Sequence, residues 1–203
     1  MLKAIFGIKN SPPAERPDFL SDADSQLMAS LLCNATSLIP FTKSEAKIAA
    51  SYMSLRSYRE GHIIVREGDA TRLDRMMWIL EGEVTFEALA GGGVSKSVTV
   101  RVLDAGAAFG FMSLFDNEPR LLQGTASLPS RCALLTRDQL QALCQQHPQI
   151  GTKLMAAICF NFSQALRGMT TKFKCHVRLN NVLNAELMDK EKENTALEVE
   201  LLK

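Results

Sequence analysis

The chain is poor in the residues and runs that mark catalysts, metal proteins and membrane spans. Five cysteines occur in 203 residues (Cys33, Cys132, Cys144, Cys159 and Cys175), an odd number with no C-x-x-C pair. That argues against a disulfide framework and for reduced thiols in the cytoplasm. Cys33 stands alone in the N-terminal half, so ligands for an iron–sulfur cluster are missing, and His62, His147 and His176 form no metal constellation. No apolar run reaches the ~18 residues of a membrane span, and Ala4–Ile8 is too short for a signal peptide. The net charge of +1 supplies no global attraction for nucleic acid. No G-x-S-x-G, P-loop or H-E-x-x-H occurs, so no enzyme motif is present. What remains is an ordinary globular balance, 46% hydrophobic and 22% charged, enough for one compact domain and an extension.

The prolines divide that chain. Pro12, Pro13 and Pro17 favour extended backbone, so residues 1–22 read as a flexible leader. From Asp24 to Ser37, Leu27, Met28, Leu31 and Leu32 share one helical face. Thr42 with Glu45 is a capping box opening a helix from Lys43 to about Tyr52. The period then falls to two. Val84, Phe86 and Ala88 alternate with polar neighbours, as do Val98, Val100 and Val102, with Gly91–Gly93 between as a hairpin tip. Short strands are also expected at His62–Val65, Met76–Leu80 and Cys132–Leu135, a pattern of sandwiches, jelly rolls and barrels. Thr136 with Gln139 caps another helix to about Gln146, and Pro148 suits the first position of the next. Residues 23–147 therefore read as one α+β unit, a sandwich, jelly roll or barrel with N-terminal helices, and residues 148–203 as one long helix.

No proline interrupts that helix, which would extend about 80 Å. A 3,4 spacing runs through Met155, Cys159, Phe162, Leu166, Met169, Phe173, His176, Asn180, Leu183, Leu187, Lys190, Asn194, Leu197 and Leu201. This is a coiled-coil seam, and asparagine at Asn180 and Asn194 favours a parallel, in-register homodimer. Gly168 weakens the helix and offers a place to bend. Charge divides along it: Lys153, Arg167, Lys172, Lys174 and Arg178 come before residue 181 without an acid, and Glu186, Asp189, Glu191, Glu193, Glu198 and Glu200 follow. Solvated faces explain this; alternatively the basic half approaches an anionic ligand or partner.

The middle of the chain resembles the cyclic-nucleotide-binding domain of the catabolite activator protein family. The residues that carry the resemblance are Gly61, Glu67-Gly68-Asp69, Met76 to Val84 with Gly82, then Leu103, Gly106, Phe109, Gly110 and Pro119-Arg120. It covers about Ser37 to Phe173 and implies a double-stranded β-helix, or jelly roll. It also implies that Phe109 to Ala126 is a phosphate-binding cassette. In such a cassette the amides after Gly110, including those of Phe111 and Met112, cradle the phosphate, and Arg120 matches the arginine that pairs with its charge. The resemblance further makes Thr170 and Thr171 candidate contacts to the base.

Two positions depart from the family pattern. Phe111 stands where a glutamate accepts the ribose 2′-hydroxyl, and Leu121 and Leu122 stand where small residues leave room for the phosphate. These residues argue against ordinary cAMP or cGMP binding, while a cyclic dinucleotide would tolerate the altered cassette. Alternatively Arg120 makes a structural ion pair, with Asp116 or Glu118. The family's regulators add a helix-turn-helix after the long helix; here the coil continues and grows acidic, which argues against direct DNA binding. Three functions are open: a non-enzymatic dimeric sensor whose helix reports ligand state, a ligand-free interaction scaffold with a protein partner on the coil, or a transcription regulator acting with another DNA-binding chain.

Overall fold

The computed structural model describes residues 18–34, 38–90 and 96–201, with side chains described through residue 192 of the last helix. Two units are distinguished, residues 1–157 and 158–203. The first opens with β1 (Asp18–Phe19), α1 (Asp22–Asn34) and α2 (Lys43–Ser51). Among the described residues the strands make two sheets: β1, β2 (Ser54–Tyr58), β9 (Ser130–Thr136), β4 (Arg75–Glu81) and β7 (Ala108–Phe109) form one antiparallel sheet. The second sheet is β3 (Ile63–Val65), β8 (Gln123–Ala126), β5 (Glu83–Ala90) and β6 (Lys96–Asp104). The short helix α3 (Phe111–Asp116) lies between β7 and β8; α4 (Arg137–Gln146) and α5 (Pro148–Leu201) complete the chain.

The expected leader differs at its end. Asp18 and Phe19 pair with Leu55 and Ser54, and Asp22 already belongs to α1. Residues 1–17 lie outside the described residues, as do Gly91–Gly93 at the hairpin tip. Both capping boxes form as expected, Thr42 with Glu45 and Thr136 with Gln139. In α1, Met28 and Leu32 face the core, and Leu27 and Leu31 are half-buried. The buried Asp24 of that helix pairs with Arg131 of β9 and accepts from the Ser21 hydroxyl at 2.7 Å.

The roll encloses Met77, Ile79, Val84, Phe86, Leu103, Phe109, Cys132 and Leu134. The β6 alternation does not carry its valines inward throughout. A bulge lies where Phe86 pairs with Arg101 and Glu87 with Thr99, leaving Val100 the extra residue. Beyond it Leu103 is buried opposite Val84, while Val102 is exposed opposite Thr85.

α5 is continuous through Gly168, with no break in its hydrogen bonding. Its root belongs to the first unit: Ile150, Leu154 and Ala157 are buried there. Lys153 donates to both carboxylate oxygens of Glu45, at 2.8 and 2.7 Å, so the side chain that caps α2 also holds the base of α5. This hydrogen bond, with those from Thr42, holds the Glu45 carboxyl down at about 2, against an ordinary 4.5. A depressed folded-state pKa stabilises above the unfolded value and is lost as pH falls through the folded one. Glu45→Gln is therefore expected to flatten the decline in melting temperature between pH ~5 and ~2. Equal slopes for the two proteins in thermal unfolding at pH 5 and pH 3 would refute this role.

Candidate functional site

The cassette begins where β7 turns into α3. Gly110 is the residue before α3 and has φ +81°, a left-handed conformation that a side chain disfavours. A Cβ there would also stand 3.1 Å from both Arg120 Nη1 and the Arg75 carbonyl. Gly110 thus lets the chain turn directly against the arginine.

Arg120 faces inward and is 8% exposed. Its Nη1 donates to the Gly110 carbonyl at 2.8 Å, and its Nη2 to the carbonyls of Arg72 (3.1 Å) and Arg75 (3.0 Å). Three of the guanidinium's five N–H donors are therefore committed to backbone. The backbone of Arg120 is held as well: its N–H donates to Asp69 O at 3.1 Å, and its carbonyl accepts from Gly68 N at 2.8 Å. Asp69 shapes the adjoining turn by accepting from the amide and hydroxyl of Thr71, both at 2.7 Å. Arg72 then takes φ +54°, unusual for a residue with a side chain, with its carbonyl fixed by Arg120.

The ion pair offered by the sequence does not form. Among the described residues no carboxylate comes within 4.0 Å of Arg120 as an ion pair; Asp116 instead accepts from the Glu118 amide at 3.0 Å. Burial, and then the neighbouring Arg75, lower the arginine's pKa from its ordinary value, while Asp69, Asp74 and Asp116 oppose them. Carbonyl dipoles take the place a counter-ion would have.

The other cassette residues divide between interior and solvent. Phe111 is buried, and Met112 beside it is 44% exposed. The two leucines after Arg120 do not crowd the site together. Leu122 packs against the core of the roll, but Leu121 is 64% exposed. Both lie in a bend just before β8, and only Leu122 turns inward. The interior beside Leu122 is filled by Phe86, edge-on to Phe109 with ring centroids 5.3 Å apart. Phe86 lies so close over Gly124 that a Cβ there would be 2.7 Å from its ring and 2.9 Å from Val65 Cγ2. The alternation through Val84, Phe86 and Ala88 marks Phe86 as a strand residue, but nothing local shows that it meets Gly124.

Thr170 and Thr171 belong to the second unit, and their hydroxyls donate to the carbonyls of Leu166 and Arg167 within α5. No group of histidine, cysteine, aspartate and glutamate suited to a metal occurs among the described residues. His62 stacks on Tyr58 and His147 meets Tyr52 edge-on. Burial pushes the Cys132 thiol up to about 12, which keeps it protonated and unreactive. No described helix is long and apolar enough to cross a membrane.

Residues 55–147 match the sequence profile of the cyclic nucleotide-binding domain. That stretch is a cyclic nucleotide-binding domain. A domain of that description from Methylobacillus flagellatus superposes with a TM-score of 0.64 at 26% identity, over 70% of this chain and 78% of that one. The catabolite activator protein of Thermus thermophilus shares the fold, with a TM-score of 0.54 at 24% identity, over 70% and 62% of the two chains. A cGMP-dependent protein kinase of Eimeria tenella is 25% identical over 139 residues, 68% of this chain. The chain spans 13% of that kinase. The matched region holds the whole cassette, Phe109 to Ala126, together with the Glu67–Asp69 turn that anchors Arg120.

Proposed function

We propose that this chain is a non-enzymatic, dimeric regulatory module whose cyclic nucleotide-binding domain does not take cAMP or cGMP in the ordinary way. The observation that carries this is the buried Arg120 guanidinium, engaged by three backbone carbonyls. A cyclic phosphate would have to compete with those carbonyls. Phe111 offers no acceptor for a ribose hydroxyl, and Leu122, two residues after the arginine, packs into the core of the roll that holds Phe86. A buried hydroxyl left without its partner costs about 1–3 kcal/mol.

The helix supports the dimeric part of the reading. Leu166, Met169, Phe173, Leu183 and Leu187 are large apolar side chains between 46% and 69% exposed in the single chain. Met155 and Phe162 are half-buried, and Cys159 is exposed. A second copy would cover the nearer part of this seam, with Leu166, Met169 and Phe173. Asn194, Leu197 and Leu201 continue the spacing, but their side chains lie outside the described residues. Pairing would couple each roll to the other through α5, whose root Lys153 ties to Glu45.

Titration calorimetry and thermal unfolding with millimolar cAMP, cGMP and a cyclic dinucleotide test the ligand reading. The expected result is no saturable heat and no change in melting temperature. A ligand at ~100 times its Kd would add about 2.7 kcal/mol. Such a gain with cAMP or cGMP would refute the proposal, and one with the dinucleotide alone would make the module its sensor. Sedimentation equilibrium on the same sample should give twice the 22.4 kDa chain mass; a monomer would remove the dimer.

A further inference from the structure

The seam of α5 changes character along its length. With Leu183 at d, the core positions run Asn180 (a), Leu183 (d), Leu187 (a), Lys190 (d), Asn194 (a), Leu197 (d) and Leu201 (a). The positions flanking the core are e and g, and they set partner choice in coiled coils. From residue 186 to residue 200 those positions are Glu186 (g), Glu191 (e), Glu193 (g), Glu198 (e) and Glu200 (g). Every one is glutamate. The nearer half differs: Ala165 (g), Thr170 (e), Lys172 (g) and Val177 (e) carry no acid.

A parallel, in-register pair brings each g against the following e of the other strand. In two copies of this chain that sets Glu186 against Glu191 and Glu193 against Glu198, twice over, and Lys190 against itself in the core. Like charges at such positions repel. The apolar requirement is nevertheless present, for Leu183 and Leu187 are 46% and 59% exposed. This surface demands a partner and rejects its own copy.

We propose that the segment from Asn180 to Leu201 is the acidic strand of a heterotypic coiled coil, and that its partner is an amphipathic helix with lysine or arginine at e and g. The inference rests on reading α5 as a coiled coil, and it deepens that reading by dividing the helix. The nearer seam, Met155 to Phe173, holds two copies together, and the distal segments separate to receive a basic helix. The positive charges of the nearer half do not substitute for that helix, since Lys172 alone flanks the seam, at g, while Lys153, Arg167, Lys174 and Arg178 fall at b, b, b and f.

The test uses the full chain and two synthetic three-heptad peptides with leucine at a and d. One carries lysine at every e and g, and the other glutamate. At neutral pH and low salt, fluorescence anisotropy should show the lysine peptide binding at least ~10-fold tighter, with the preference shrinking as salt screens the flanks. Glu186→Lys, Glu191→Lys, Glu193→Lys and Glu198→Lys combined should reverse the choice. Equal binding of both peptides, or of neither, would overturn the proposal.

A cross-linking measurement separates the two halves. Mild oxidation should join two chains through Cys159, at a core position of the nearer seam. Leu187→Cys, in a chain carrying Cys159→Ser and Cys175→Ser, should cross-link at least ~10-fold more slowly. Equally fast cross-linking at residue 187 would mean the distal segment pairs with its own copy, and the proposal would fall. Failure to cross-link at Cys159 with the peptide preference intact would remove the homodimer and leave the acidic strand standing.

Discussion

Arg120→Ala is expected to lower the stability of the ligand-free protein by about 3–5 kcal/mol, read by urea unfolding with no nucleotide present. The guanidinium satisfies the carbonyls of Gly110, Arg72 and Arg75 in a nearly closed environment. Alanine would take one donor from each of those carbonyls, at a cost of about 1–3 kcal/mol for any left unsatisfied where water does not reach it. It would also remove the Arg120 donor from the carbonyl of Arg72, a residue held in a left-handed conformation. Arg120→Lys should rescue little, because a single ammonium does not reproduce a planar fork reaching three acceptors. In a domain where the same arginine served only to capture a phosphate, its removal would abolish binding and spare the empty fold. An unchanged unfolding curve for Arg120→Ala would therefore overturn the structural role and reopen the cassette as an ordinary nucleotide site.

Gly82→Ala is expected to cost about 3 kcal/mol or more, and to leave much of the protein insoluble on expression. Gly82 turns the chain from β4 into β5 with φ +91°. A Cβ at that position would stand 2.4 Å from the Pro129 carbonyl, 2.4 Å from Ser130 Oγ and 2.7 Å from Ser130 Cα. Two of those atoms are backbone and do not rotate away. Ser130 is itself tied down: its hydroxyl accepts from Glu83 N at 3.1 Å and lies 2.8 Å from the Leu128 carbonyl. The corner also carries Ser127, whose hydroxyl donates to the Glu83 carboxylate at 2.6 Å. Gly168→Ala is the control. That glycine has an ordinary helical backbone and nothing within 4 Å of a Cβ, so alanine should stabilise by up to ~1 kcal/mol. Equal melting temperatures for the two variants would show that the corner is not the constraint described here.

These two sites mark how far the residues could be read before their neighbours were known. Gly82 belongs to the run that carries the resemblance to the cyclic-nucleotide-binding domain, and a positive φ is a local demand that glycine meets at no steric cost. Arg120 was legible as a residue but not as a set of contacts. Its acceptors are main-chain carbonyls 10, 45 and 48 positions away, and a carbonyl looks the same in every sequence. The carboxylates of Asp116 and Glu118 were the visible candidates, and the fold turns the guanidinium elsewhere. The same limit explains Leu121 and Leu122. Both are leucines, and only the direction of the chain leaving Arg120 decides which enters the roll.

What the amino-acid sequence determined alone is everything set over a few residues. The capping boxes at Thr42 and Thr136, the start of α5 at Pro148, the two-residue period of β5 and the extent of the long helix are such features. Their physics is local: a hydroxyl reaching an amide three residues on, a ring without an N–H, side chains alternating across a pleat. The tertiary structure alone decided the pairing of Asp24 with Arg131, of Glu45 with Lys153 and of Phe86 with Gly124, and the bulge that turns Val102 outward. Those contacts join positions dozens of residues apart, and closing the roll brings them together because both of its sheets must bury one face against the other.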